Sequence, residues 1–412
     1  MGSEMCIRDS LKYAGLNRNV VNIKVVLPDG SIMNTGSFSV SGVGKLREFG
    51  PGPDLTGLIR GCMATFGIFT EVTVKLHPWV GGREFPEDVG RPSISTYYKD
   101  VEEKNFDRPE VPANHKIFWI EFPDLKTEID ALYKIAHSGI GIALNASGVY
   151  SDYYCSQTQD MTEERATKHF FPSYNCYVMI AGISSPKQLE YEERVLRDIV
   201  EEVGGRFLTP EEDEEVLDAL STWNQDCFRH VCGFRMNRRG SFQLCLPSFK
   251  ISQSMEHSQA WAEIMNRIGP VHITDRGGSD STPFVYVFNR GHFCMSETDH
   301  YYSQADLKEV EKTIELFFDD EAAIVSKNMG GAISNMQVEP LTSFYPEVGP
   351  NLHLLWRKLR AAFDPQGICA PGRQVFTEEE LKEFPRQMAD WINKGRTAHG
   401  MKAIDREDLI RG

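Results

Sequence analysis

One pattern constrains this chain more than any other: a short apolar strand, a turn, then an amphipathic helix, met three times along its middle. Lys116–Phe122 leads into a helix over Thr127–His137, striped by Ile129, Leu132, Tyr133 and Ile135. Tyr177–Ile183 leads into a second, which Ser185 can cap, Pro186 can open and Gly204 can end. Leu189, Leu196, Ile199, Val200 and Val203 make its apolar stripe. Phe284–Phe288 precedes a third helix over Ala305–Phe318, carried by Leu307, Val310, Ile314 and Phe317. Such units bury their apolar sides by laying helices on one face of an antiparallel sheet, so the expected class is α+β. The units share no fixed period, which argues against a solenoid.

The flanks read differently. Val20–Leu27 is an apolar run closed by the turn Pro28-Asp29-Gly30, with Ser31–Thr35 as the returning strand. Residues 42–52 are Gly-, Ser- and Pro-rich and form a loop. Leu55–Cys62 has helical spacing, and Ile68–Leu76 alternates as a strand that His77-Pro78 ends. Glycines and prolines over residues 81–92 mark a boundary. Near the other end, Pro350–Phe363 is an amphipathic helix through Leu352, Leu355, Trp356 and Leu359, stopped by the turn Asp364-Pro365-Gln366-Gly367. Residues 1–10 show neither periodicity nor a turn that could join them to Leu11, and read as a leader that does not belong to the fold.

Composition excludes several classes. A formal charge of −15 argues against nucleic acid, which needs a basic surface. The acidic run Glu211–Glu215 reads as a solvated helix face. No window approaches eighteen uninterrupted apolar residues, so no membrane span is expected. Nine scattered cysteines, without a C-x-x-C pair or zinc-finger spacing, fit small buried side chains in a reducing, cytoplasmic setting.

The richest segment is residues 53–71, PDLTGLIRGCMATFGIFTE, a helix with glycines and a threonine running into a strand. Small residues there let a planar or phosphorylated ligand approach the backbone, and freed N–H groups can hold anionic oxygens. Taken alone, such a junction is more often simple tight packing. In its residues, however, it resembles the P-D-L-T-G-L-x-x-G-x-x-x-T-x-G-I-x-T-E segment of FAD-linked oxidases of the vanillyl-alcohol oxidase and p-cresol methylhydroxylase type, which include glycolate and D-lactate dehydrogenases. Residues 13–19, YAGLNRN, with residues 25–30, VVLPDG, resemble that family's Y-G-x-x-R-D-N and V-V-L-P-D-G. Residues 363–373, FDPQGICAPGR, resemble its L-D-P-N-G-I-x-x-P-G-[KR].

The resemblance covers residues 11–376 and implies the C-terminal part of a p-cresol-methylhydroxylase-type FAD-binding domain (residues 11–78), a cap domain (79–345), a return to the FAD domain (346–376) and a peripheral helical tail (377–412). It implies FAD contacts from Pro53, Asp54, Gly57, Gly61, Cys62, Thr65, Gly67 and Ile68, with Gly372 and Arg373 returning to the same domain. No G-x-G-x-x-G opens a helix after a strand, so NAD is not implied. Departures accompany the matches. The family's Gly-rich pyrophosphate loop has no counterpart ahead of Tyr13, so an N-terminal truncation is expected, with apolar surface left uncovered around the Val20–Leu27 hairpin. Cys62 and Met63 stand where the glycolate and lactate branch has Ser-Glu.

By the resemblance the chain is an enzyme that oxidises a C–OH group of a small substrate, an aromatic alcohol or a 2-hydroxy acid, by hydride transfer to flavin. Such chemistry needs a base for the O–H proton and a donor or cation for any carboxylate. Residues 288–300, FNRGHFCMSETDH, follow a cap strand and offer His292 and His300 as base, with Arg290 or Arg235 to hold a carboxylate. A plain solvent-facing histidine at a strand end is an equal reading of His292. The lactate branch's G-H-x-x-D-G-N-x-H metal motif is matched only at Gly291-His292 and a later histidine, and no metal is expected. Residues 330–335, GGAISN, lack the Glu-His-Gly, histidine-run and Tyr-Arg signatures of the named branches. An alkyl-transfer flavoenzyme and a fragment that no longer holds FAD are the alternatives. The electron acceptor (oxygen, a quinone or a cytochrome) is left open, and a homodimer is allowed.

Overall fold

The computed structural model describes residues 10–78, 114–147, 174–209, 241–269, 271, 284–329, 332–333, 345, 347, 352–371, 375 and 386–405. Its contacts divide the chain into two units. A short helix α1 (Ser10–Tyr13) falls in the second unit and α2 (Leu16–Asn19) in the first.

The first unit holds a three-stranded antiparallel sheet of β1 (Val20–Val26), β2 (Ile32–Asn34) and β3 (Ile68–Val74), in the order β2-β1-β3. The β1–β2 hairpin closes where the Leu27 amide donates to the Ser31 carbonyl at 2.9 Å. Asp29 accepts from the Ser31 amide and hydroxyl, and Gly30 takes the positive φ of 83° that the turn requires. Helix α3 (Leu55–Arg60) lies behind β1, so Val20, Ile23 and Val25 are buried with Ile59, Cys62 and Phe66. Trp356, Leu359 and Phe363 from a helix over Leu352–Phe363 complete that core. The central strand is covered, and the apolar surface left in solvent lies beside it. On the edge strand β3 and just past it, Ile68 is 68% exposed, Val72 45% and Leu76 91%.

The second unit is a large sheet with helices on one face, as expected. Its elements in chain order are β4 (His115–Glu121), α4 (Leu125–His137), β5 (Ala143–Ser147), β6 (Asn175–Ala181), α5 (Pro186–Val203), β7 (Arg206–Leu208), β8 (Ser241–Cys245), β9 (Pro247–Phe249), α6 (Gln253–Ile268), β10 (Phe284–Phe288), β11 (Phe293–Tyr302), α7 (Leu307–Ser326) and β12 (Ala332–Ile333). Strand order is β12-β9-β11-β10-β5-β6-β4-β7, with β8 also paired to β11. The registers from β7 through β9 are antiparallel.

Alternation along the strands sends Ile120, Leu144, Ala146, Cys176, Val178, Ile180, Val285, Val287 and Cys294 into one core with Leu132, Ile135, Leu196, Trp261, Ile264 and Ile324 of the helices. Asp124 caps α4 by accepting from the Thr127 amide at 2.8 Å. Gly204 ends α5 in the left-handed conformation, φ 78°, whereas Ser185 at its start makes no side-chain cap bond. The helix expected over Ala305–Phe318 starts at Leu307 and runs eight residues further, because Ala322, Ala323, Ile324 and Val325 continue the buried stripe. The helix expected over Pro350–Phe363 is described over Leu352–Phe363, here α8, and α9 (Arg386–Ala398) comes after it in the first unit. No described helix is long and apolar enough to cross a membrane.

Candidate functional site

In the first unit the FAD-like segment is built around α3. Asp54 is the helix N-cap: its side chain accepts from the Gly57 amide at 2.8 Å and meets Arg60 Nη2 at 3.4 Å. A Cβ on Gly57 would meet the Asp54 carboxylate at 2.4 Å, so Gly57 keeps the cap open. Asp54 and Gly57, expected at the cofactor, are occupied in holding the helix start. Pro53 precedes them, exposed.

The far end of α3 has a different character. Gly61 is exposed with open space around it. Met63 and Ala64 come next in the left-handed region, φ 46° and 65°, and both are exposed. The amides that follow turn back onto Cys62: the Thr65 amide donates to the Cys62 carbonyl at 2.8 Å, and the Ala64, Thr65 and Phe66 amides face its sulfur. Thr65 beside them is buried, and its hydroxyl has no hydrogen-bond partner. Phe66 anchors the segment from below by stacking on Phe363 at 4.9 Å and Trp356 at 5.4 Å. Gly67 has φ 142°, and an added Cβ would lie 2.3 Å from the Val26 carbonyl oxygen, so only glycine lets this segment meet β1. Cys62 is buried, and desolvation pushes its thiol up. Ile68 is exposed. An orphaned hydroxyl beside the exposed Gly61, Met63 and Ala64 fits a group that brings oxygens or a flat ring to the chain. Gly372 and Arg373 lie outside the described residues. The turn before them is braced by Asp364, which accepts from the Ile368 amide at 3.0 Å and the Cys369 amide at 2.7 Å.

In the second unit the three described side chains expected to do chemistry, His292, His300 and Arg290, are not gathered. His292 lies just ahead of β11 and is exposed. His300 lies near the other end of that strand, roughly 25 Å away at the rise of an extended chain. It is fully buried against Trp261, ring centres 4.9 Å apart, and neither ring nitrogen has a hydrogen-bond partner. Desolvation lowers its pKa to about 4. Arg290 sits in the left-handed turn between β10 and β11, where Nη1 donates to the carbonyls of Ile140 at 2.5 Å and Gly141 at 3.1 Å. Its guanidinium thus ties the turn to the chain leaving α4. Arg235 lies outside the described residues.

Two polar arrays that sequence patterning does not reveal stand on opposite faces of the large sheet. On the helix side, His257 of α6 has Nδ1 2.8 Å from Ser296 Oγ and Nε2 3.3 Å from Asp320 Oδ1. Thr298 donates to Asp320 Oδ2 at 2.7 Å, and the Cys245 thiol donates to Glu321 at 3.3 Å. All are buried. Burial works to raise the Asp320 pKa, but His257 and Thr298 outweigh it and hold the carboxyl below its ordinary value. Glu321, buried beside Asp320, is pushed well up. The available signal was Ser296, Thr298 and His300 at alternate, inward positions of β11, matched by three acids inside an apolar helical stripe.

On the other face a row crosses five strands in register: Trp119 opposite Tyr177, Tyr177 opposite Asn145, Asn145 opposite Tyr286, Tyr286 opposite Met295. The Trp119 and Tyr177 rings stack at 5.2 Å, and Glu297 stands two positions past Met295 on the same face. Trp119, Tyr177, Asn145, Tyr286 and Glu297 are all buried. Among the described residues, no group of three or more His, Cys, Asp or Glu side chains could hold a metal ion.

No protein-family model matches the chain. It is 22% identical over 382 residues to a mitochondrial protein of Danio rerio named probable D-lactate dehydrogenase, which covers 89% of this chain and 62% of that one. Over 69 residues it is 41% identical to an uncharacterised FAD-linked oxidoreductase of Mycobacterium tuberculosis, covering 17% of this chain and 14% of the relative. The chain is related to the FAD-linked oxidoreductases. Its fold is shared with substrate-bound p-cresol methylhydroxylase, at a TM-score of 0.62 and 16% identity, over 87% of this chain and 65% of that one. These relatives are enzymes, and this chain spans about two-thirds of the length of each of the two long matches.

Proposed function

We propose that the protein is an FAD-dependent oxidoreductase that oxidises a C–OH group of a small substrate. The observation that carries this reading is the segment from Gly61 to Gly67: exposed left-handed backbone at Met63 and Ala64 beside the buried, unpartnered Thr65 hydroxyl, in a chain whose relatives are FAD-linked. Gly61, Met63, Ala64 and Thr65 would hold the cofactor, while Asp54, Gly57 and Gly67 shape the backbone that does so. When bound, FAD supplies the acceptor for the hydride that leaves the substrate carbon.

The chain's own side chains then have to bind the alcohol, exclude water and take up the hydroxyl proton. Of the expected bases, His292 is exposed and so reachable by a substrate, whereas His300 faces the helix layer. His292 therefore stays the candidate for the proton, and Arg290 is a positioning residue for the turn that carries it. The anaerobic reductive half-reaction tests the assignment. Flavin-loaded protein mixed with alcohol substrates should bleach, and His292→Ala should slow the bleaching by about a hundredfold, the usual worth of a general base. Unchanged rates in that variant remove His292 from the mechanism. Electron delivery to a cytochrome is the acceptor we favour, because a mitochondrial D-lactate dehydrogenase of Arabidopsis thaliana, 32% identical over 100 residues, is named for it.

A further inference from the structure

The loop that joins β2 to α3 shows its apolar side chains to solvent. Its ends meet at Gly36 and Gly50, where a Cβ on Gly50 would lie 2.6 Å from the Gly36 carbonyl oxygen. A closed surface loop of this kind ordinarily fills its centre with its own side chains. Here the buried Ser37 fills it: its hydroxyl donates to the Gly44 carbonyl at 2.8 Å and accepts from the Leu46 and Arg47 amides at 2.9 and 3.0 Å. Asn22 of β1 donates to the Arg47 carbonyl at 3.0 Å. With the centre taken by backbone and hydroxyl, every third residue on the outside is apolar: Val40, Val43, Leu46 and Phe49. Leu46 is 76% exposed and Phe49 56%, and every residue from Ser39 to Arg47 is exposed.

Charge decides what such a loop can meet. Lys45 and Arg47 flank Leu46, and the Arg47 guanidinium lies 4.7 Å over the Phe49 ring. Lys45 and Lys24 both hold Glu71, at 2.8 and 2.9 Å, and Lys75 holds Glu48 at 3.6 Å. Lys24, Lys45, Arg47 and Lys75 thus outnumber Glu48 and Glu71 by two, and among the described residues no carboxylate pairs with Arg47. The whole chain carries −15, so this face stands against the charge of the rest. Exposed Leu and Phe set beside Lys and Arg match the boundary of a bilayer: the apolar groups leave water at the acyl edge while the cations meet lipid phosphates. The same face of a second copy would bring the same surplus of cations and be repelled.

We infer that residues 39–49 are a docking loop for an anionic bilayer surface, with Val40, Val43, Leu46 and Phe49 entering the headgroup layer and Lys45 and Arg47 on its phosphates. The inference goes beyond the oxidoreductase reading and does not depend on it, because vesicle binding is read without flavin.

Co-sedimentation of the whole chain, against a spin without vesicles, compares vesicles of phosphatidylcholine with vesicles of equal parts phosphatidylcholine and phosphatidylglycerol. The protein should pellet with the anionic vesicles, stay in solution with the neutral ones, and be released as salt rises. Leu46→Ser combined with Phe49→Ser should weaken anionic-vesicle binding at least about tenfold. Arg47→Gln should weaken it about fivefold, the usual worth of one basic side chain at such a surface. Both variants should keep the wild-type thermal midpoint. No binding to either vesicle, equal binding to both, or undiminished binding by the folded Leu46→Ser, Phe49→Ser protein each overturns the inference. Should that variant fail to fold, Arg47→Gln and the salt titration of the wild type still decide. Pelleting without vesicles that the double change abolishes would assign the loop to self-association and overturn the inference as well.

Discussion

Single side chains inside the large sheet's helix-facing core set how the protein responds to pH. His300 is buried and neutral, with a folded pKa of about 4 against an ordinary 6.5. The unfolded chain takes up a proton below pH 6.5 that the folded chain refuses, so this residue's contribution is lost as pH falls from 6.5 toward 4. The full loss is about 3 kcal/mol at roughly 1.36 kcal/mol for each pH unit. Urea midpoints measured from about pH 7 down to about pH 4.5 should therefore drop steeply for the wild type and more gently for His300→Leu. Glu321 acts with the opposite sign: held protonated in the fold, it costs stability as pH rises above 4.5. Glu321→Gln should accordingly raise the denaturation midpoint at neutral pH relative to the wild type. A third residue-scale expectation concerns Gly67. Its φ of 142° and the 2.3 Å approach to the Val26 carbonyl predict that Gly67→Ala loses at least about 2 kcal/mol in a denaturant melt.

At the scale of elements, the edge strand β3 is the exposed liability of the first unit. Among the described residues it pairs only with β1 and, with the residues just past it, leaves Ile68, Val72, Val74 and Leu76 in solvent. Val74→Thr with Leu76→Lys should reduce concentration-dependent association in light scattering while moving stability by no more than about 0.5 kcal/mol for each change. The same scale shows what the sequence could reveal. Hairpin β1–β2 was legible because Pro28-Asp29-Gly30 separates two apolar runs, and α5 because Pro186 and Gly204 bracket a single stripe. Strands β5, β7, β8 and β9 were not: they have five residues or fewer and, unlike the unbroken aromatic and Val run of β10 or the turn-flanked β2, carry no further mark. Strand β11 was hidden by its composition, since Ser296, Thr298 and His300 occupy positions that a pattern search expects to be apolar. The 53–71 motif was readable as a cofactor segment, but not the division of labour within it. That Asp54 caps a helix, while Thr65 is left without a partner, is a fact of side-chain direction. Asn145 was invisible for a related reason: a lone asparagine carries no signal until cross-strand register sets tyrosines on either side of it.

The molecule as a whole carries a flavin-type segment in one unit and an acceptor-rich aromatic face in the other. Five described cysteines, Cys62, Cys176, Cys245, Cys294 and Cys369, are free. The long match is named for D-lactate, and the fold is shared with a p-cresol enzyme. Everything proposed about chemistry depends first on whether this chain takes up FAD. The most direct measurement is to mix the purified protein with excess FAD, remove free cofactor by gel filtration, and record the visible spectrum of the protein peak. Flavin absorbance should co-elute with the protein at close to one flavin for each chain, and be lost when Thr65→Val and Ala64→Pro are combined. A colourless protein peak from the correctly folded wild type would contradict the assignment of FAD.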